Sequence, residues 1–160
     1  MVVVLMGVAG SGKTTVGRLL AGGLGWKFYD ADDFHPPANV EKMSRGVALD
    51  DDDRRPWLEV LSRLIDDSHA RGENAVLACS ALKENYRRLL LADELTRLFY
   101  LKGDYDTVWG RVANRRGHYM KPEMLDSQFA ALEEPVAASH LDASLPPGEI
   151  VAEIRRRLGA

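Results

Sequence analysis

The stretch Gly7-Val8-Ala9-Gly10-Ser11-Gly12-Lys13-Thr14 constrains this chain more than any other. An apolar β-branched run, Val2 to Met6, precedes it, and Val16, Leu19, Leu20 and Leu24 follow at helical spacing. A strand, a glycine-rich loop and a helix in that order are the context in which G-x-x-x-x-G-K-[ST] becomes a phosphate-binding loop. Its glycines let the backbone wrap closely around phosphate oxygens, and the N–H groups at the helix start supply positive potential. Lys13 adds a full charge near the β- and γ-phosphates, and Thr14 offers a hydroxyl to Mg²⁺. A tight turn would explain the glycines but not the Lys-Thr pair. Triphosphate binding by Gly7, Val8, Ala9, Gly10, Ser11, Gly12, Lys13, Thr14 and the adjoining Thr15 is the expectation.

Such a loop belongs to an α/β architecture, and the rest of the chain agrees. Short apolar runs at Lys27 to Asp30, Ala75 to Cys79, Leu98 to Leu101 and Val136 to Leu141 alternate with helical stretches. The reading is a three-layer α/β fold with a five-stranded, mostly parallel sheet in one domain over residues 1–160. Leu58, Leu61 and Ile65 mark the core face of a helix that begins at Asp50-Asp51-Asp52-Asp53. Those acids read as helix-start caps rather than as a metal site. The basic residues are scattered and the formal net charge is −3, so nothing points to nucleic acid. One cysteine, Cys79, permits no internal disulfide and suits a reducing, cytoplasmic setting. The apolar start is too short to span a membrane or to serve as a signal.

Phosphate-binding loops also serve GTPases, motors and sensors, so the acceptor side must decide. Asp30 and Asp32 follow the second strand and, in an extended segment, would project to the same side. One could hold Mg²⁺ through water, here Asp30, while Asp32 orients or deprotonates an attacking hydroxyl. A solvated loop end capped before Pro36-Pro37 is the competing explanation, as salt bridging is for Arg54, Arg55, Lys83 and Arg87. Arg111, Arg115, Arg116, His118 and Lys121 surround Gly117 in a polar segment that suits a lid over about residues 115–124. Cations at a helix end would look the same.

Three ordered blocks resemble the gluconate kinase family: the loop Gly7 to Thr14, Asp30-Ala31-Asp32-Asp33-Phe34-His35-Pro36-Pro37, and Asp53-Arg54-Arg55-Pro56-Trp57-Leu58. Cys79-Ser80-Ala81-Leu82-Lys83, Arg115-Arg116-Gly117-His118-Tyr119-Met120 and Leu125-Asp126-Ser127-Gln128-Phe129 extend it along nearly the whole chain. The resemblance implies a fold like that of shikimate and nucleoside monophosphate kinases, and transfer of the ATP γ-phosphoryl to the 6-hydroxyl of D-gluconate. A Mg²⁺ requirement and a homodimer are also implied. Catalytic roles are implied for Lys13, Asp32, Arg111 and Arg115, with substrate contacts at Asp32, His35, Arg54, Lys83, Arg87 and His118. Arg111 and Arg115 would also touch ATP. A kinase of shikimate or another small hydroxy acid shares this logic, and a nucleotide sensor without turnover would need only the loop.

Overall fold

In the computed structural model, which describes residues 1–113, 122–136 and 138–160, five strands form one sheet. They are β1 (Val2–Met6), β2 (Lys27–Asp30), β3 (Ala75–Ala78), β4 (Thr96–Lys102) and β5 (Ser139–Asp142). Their order is β2-β3-β1-β4-β5 and all four pairings are parallel. The central strand β1 therefore ends between β3 and β4. Its loop emerges at the carboxyl edge of the sheet, where open α/β sheets bind ligands.

Among the described residues seven α-helices accompany the strands: α1 (Lys13–Leu24), α2 (Pro37–Ser44), α3 (Asp51–Ala70), α4 (Glu84–Leu90), α5 (Tyr105–Ala113), α6 (Pro122–Ala131) and, after β5, α7 (Pro147–Leu158). Alternation along β1 divides the core between two faces of the sheet. Val2, Val4 and Met6 pack with Trp57, Leu61, Ile65, Tyr86 and Leu90, whereas Val3 and Leu5 pack with Val16, Leu20, Ile150 and Ile154.

The structure adjusts several expectations. The third strand stops at Ala78 and the fifth is Ser139–Asp142 rather than Val136 to Leu141. Leu19, assigned to the apolar face of α1, is exposed, because Val16, Gly17, Leu20 and Ala21 form the buried stripe. The acids at the start of α3 do cap it. Asp50 Oδ1 accepts from the Asp53 N–H at 2.8 Å and Asp53 Oδ2 accepts from the Asp50 N–H at 3.0 Å, a reciprocal capping box. Of the expected lid, residues 115–121 lie outside the described residues, as do Arg115, Arg116, Gly117, His118 and Lys121. Among the described residues, no helix is long and apolar enough to cross a membrane.

Candidate active site

The loop between β1 and α1 is shaped for a phosphate chain. Gly10 has φ +79°, and a Cβ there would stand 2.5 Å from Val112 Cγ2 on α5, so both its conformation and its contact demand glycine. Gly12, at φ +99°, precedes α1 without any side-chain cap, which leaves the first-turn N–H groups of the helix open to an anion. Lys13 folds back over the loop, its Nζ donating to the Gly7 and Val8 carbonyls at 2.8 and 2.9 Å. Ser11 is fully buried and its Oγ has no partner among the described residues.

Ala9, Gly10, Gly12 and Lys13 of the loop line a cleft of about 630 Å³ that also takes in Thr14, Thr15, Arg18, Asp30, Asp32 and Arg111. Thr14 Oγ1 donates to Asp30 Oδ2 at 3.2 Å. That hydroxyl and carboxylate, side by side at the helix start, are the hard oxygen donors a Mg²⁺ site uses. Arg111 reaches in from α5, where its guanidinium donates to the Ser11 and Ala143 carbonyls.

Asp30 and Asp32 both face this cleft, but not for the reason extended geometry suggested. Residues Ala31–Phe34 form a 3₁₀ turn, started by Asp30, whose Oδ1 accepts from the Asp32 N–H at 3.0 Å. Trp57 of α3 fastens the turn from beneath, donating from Nε1 to the Ala31 carbonyl at 2.7 Å. The Asp32 carboxyl is water-accessible, yet the cleft walls crowd around it. That desolvation, helped by the negative charge of Asp30, raises its pKa against the opposing pull of Lys13 and His35. His35 stacks on Trp57 with ring centroids 4.3 Å apart, and burial lowers its pKa, so the imidazole is neutral at pH 7. Its Nε2 is 3.9 Å from Asp32 Oδ1 and its Nδ1 is 3.2 Å from Asn39 Nδ2. His35 thus supports the Asp32 turn and lines neither cleft.

A second cleft, about 510 Å³, adjoins on the α3 side and is lined by Asp50, Asp51, Asp52, Arg54, Lys83 and Gln128 together with Leu49, Leu82, Ser127 and Ala131. Its cations are held by one phenol and one carboxylate. Arg54 Nη1 donates to Tyr86 Oη at 3.0 Å, the Tyr86 hydroxyl donates to Asp51 Oδ1, and Lys83 Nζ donates to the same oxygen at 3.2 Å. The bond from Tyr86, then that from Lys83, lowers the Asp51 pKa. Burial, then the bond to Asp51, raises that of Tyr86. The result is a polar floor that offers carboxylates to hydroxyl groups and cations to an acid.

Arg87 departs from the expectation. It is 3% exposed, points inward from α4, and donates to the Ala81 carbonyl at 2.8 Å, to Glu84 Oε2 at 3.0 Å and to the Glu133 carbonyl at 2.8 Å. Lys83, by contrast, is the residue before α4 and faces the second cleft, whereas Arg87 lies on the buried face of the helix. Arg87 ties the loop after β3, where Ala81 holds φ +45°, to the segment after α6. It holds in place the loop that carries Leu82 and Lys83 of the second cleft, and itself lines neither cleft. Trp57, Tyr86 and Gln128, to which the sequence assigned no role, now have one, and Asp51, expected only as a helix cap, also holds Tyr86 and Lys83.

Comparison with known proteins follows the same line. The shikimate kinase family model matches residues 9–158. A probable gluconokinase of Mus musculus is 44% identical over 98% of this chain and 97% of its own length. Among solved structures, a sugar kinase from Janibacter sp. HTCC2649 superposes with a TM-score of 0.90 at 38% identity, covering 99% of this chain and 94% of that one. A gluconokinase from Sinorhizobium meliloti 1021 gives 0.84 at 36% identity, covering 98% and 94%.

Proposed function

Since this chain belongs to the gluconokinase family of P-loop kinases, we propose that it transfers the γ-phosphoryl of ATP to the 6-hydroxyl of D-gluconate, giving 6-phosphogluconate and ADP. The observation that carries the reading is the adjoining pair of clefts: one built by the phosphate-binding loop, the other holding Arg54 and Lys83 above a floor of aspartates. A linear six-carbon acid suits that pair. With its carboxylate held by Arg54, which can clasp it with two hydrogen bonds, and by Lys83, its far hydroxyl is directed toward the first cleft.

Phosphoryl transfer needs positioning and charge stabilisation more than covalent help from the protein. In this reading Asp32, which lines the first cleft, receives the proton of the acceptor hydroxyl as the new O–P bond forms, and its raised pKa favours that role. Lys13 and Arg111, at the loop, meet the charge carried by the phosphates. Thr14 and Asp30 would hold Mg²⁺, which supplies charge neutralisation at the phosphate oxygens when bound. Arg115 and His118 belong to this proposal as lid residues that complete the site. So do a homodimer and a cytoplasmic setting, checked by light scattering and by cell fractionation.

The family model leaves shikimate as the alternative acceptor to test. The assay is ADP release from Mg-ATP with gluconate, shikimate and other sugar acids, using wild type and Lys13→Ala. Gluconate-dependent turnover that disappears in the variant supports the assignment. Turnover with shikimate but not gluconate would reject the substrate and keep the kinase. ATP binding without turnover on any acid would leave a sensor.

A further inference from the structure

Gln128 is the one described residue that lines both clefts. It projects from α6, 119 residues away from the phosphate-binding loop in sequence, and accepts from the Ala9 N–H through Oε1 at 2.6 Å. A backbone N–H can only donate, so this contact sets the orientation of the carboxamide: Oε1 faces the loop and Nε2 faces away from it. Among the described residues Nε2 has no acceptor. A half-buried amide is therefore held by one end against the loop, with two N–H donors to spare, at the boundary of the two chambers.

A phosphoryl group moving from ATP in one cleft to an acceptor in the other must cross that boundary. On this basis, and resting on the kinase reading above, we propose that Gln128 is a catalytic residue whose Nε2 donates to an oxygen of the γ-phosphoryl group in flight. In that step the bond between the γ-phosphorus and the β,γ-bridging oxygen breaks, and the electron pair leaves with ADP. The acceptor oxygen bonds to phosphorus and its proton passes to Asp32, while Gln128 undergoes no covalent change. A neutral donor suits this position. It stabilises charge spread over the equatorial oxygens without drawing the phosphates into an overly stable ground state, and its tether to Ala9 removes reorganisation at the moment of transfer.

The rival role is structural, with Gln128 serving only to hold Ala9, and the isosteric Gln128→Glu separates the two. Glutamate keeps an oxygen for the Ala9 N–H but puts an anionic oxygen where the donor was. The expected result is a kcat lowered on the order of 10²-fold, the loss typical of one removed transition-state donor, with the melting temperature and KM for the acid little changed and KM for ATP raised only to the extent that the added anion repels the phosphates. Gln128→Ala, which removes the donor without adding charge, should lose kcat similarly. Wild-type kcat in Gln128→Glu, or a defect confined to KM, would overturn the proposal. If Gln128→Glu does not fold, full kcat in Gln128→Ala would do the same. The comparison uses whichever acid the wild type phosphorylates. A wild type inactive on gluconate would reject that substrate without bearing on Gln128.

Discussion

Replacing Arg87 with methionine distinguishes a loop-holding arginine from a substrate-binding one. Methionine retains much of the side-chain length but no donor, so the Ala81 and Glu133 carbonyls each lose a charged hydrogen-bond partner and Glu84 loses its 3.0 Å ion pair. Leaving a buried acceptor unsatisfied costs about 1–3 kcal/mol. Glu84 is more than half exposed and adds little to the loss. The Ala81 carbonyl is buried and the Glu133 carbonyl only partly so, which gives a destabilisation of about 3 kcal/mol. In a domain of this size each kcal/mol lowers Tm by about 2–4 °C, so the expected fall is on the order of 6–12 °C. The assay is thermal unfolding followed by circular dichroism, paired with gluconate KM well below the melting range. A Tm within about 2 °C of wild type, together with a large rise in KM, would refute the reasoning and return Arg87 to the substrate.

Asp32→Asn should reduce kcat by about 10²–10⁴-fold, the range for loss of a general base, while Tm at neutral pH is unchanged or slightly raised, because the exposed carboxyl is well screened by water. Because the folded-state pKa is raised, ionising Asp32 works against folding above that pKa, and the penalty fades as pH falls through it. A variant that is both inactive and less stable would contradict this. The same shift places the acid limb of the wild-type kcat/KM profile above the ordinary aspartate range, measured by ADP release against pH. Tyr86→Phe keeps the ring but removes the hydroxyl that accepts from Arg54 and donates to Asp51, so gluconate KM should rise about tenfold, equivalent to one hydrogen bond of 1.4 kcal/mol, with a smaller effect on kcat. An unchanged KM would mean that Arg54 needs no such support. Burial pushes the Cys79 thiol up to about 12, so a thiol reagent should label the native protein very slowly and the urea-unfolded protein at once. Fast native labelling would contradict that burial.

The phosphate-binding loop was legible because it is contiguous. Its glycines, lysine and threonine act through the stereochemistry of a few successive residues, and the strand before it and helix after it announce themselves by period. The capping box at Asp50 to Asp53 was legible for the same reason, as was the alternation that fills both faces of β1. Asp30 and Asp32, expected to face one side, do line one cleft, although the local hydrogen bond that turns the chain into a 3₁₀ helix replaced the extended geometry. Side-chain allegiances across the sheet were decided elsewhere. The order β2-β3-β1-β4-β5 sets the loop after β3 beside the loop of β1 and brings α6 over both. Only then does Arg87 turn inward to two carbonyls, Tyr86 reach Arg54 across 32 residues, and Gln128 meet Ala9 across 119. Spacing along one helix reports which residues share its face, but not whether that face meets core or cleft. That choice is made by the buried area and hydrogen bonds that the other elements offer once they have packed.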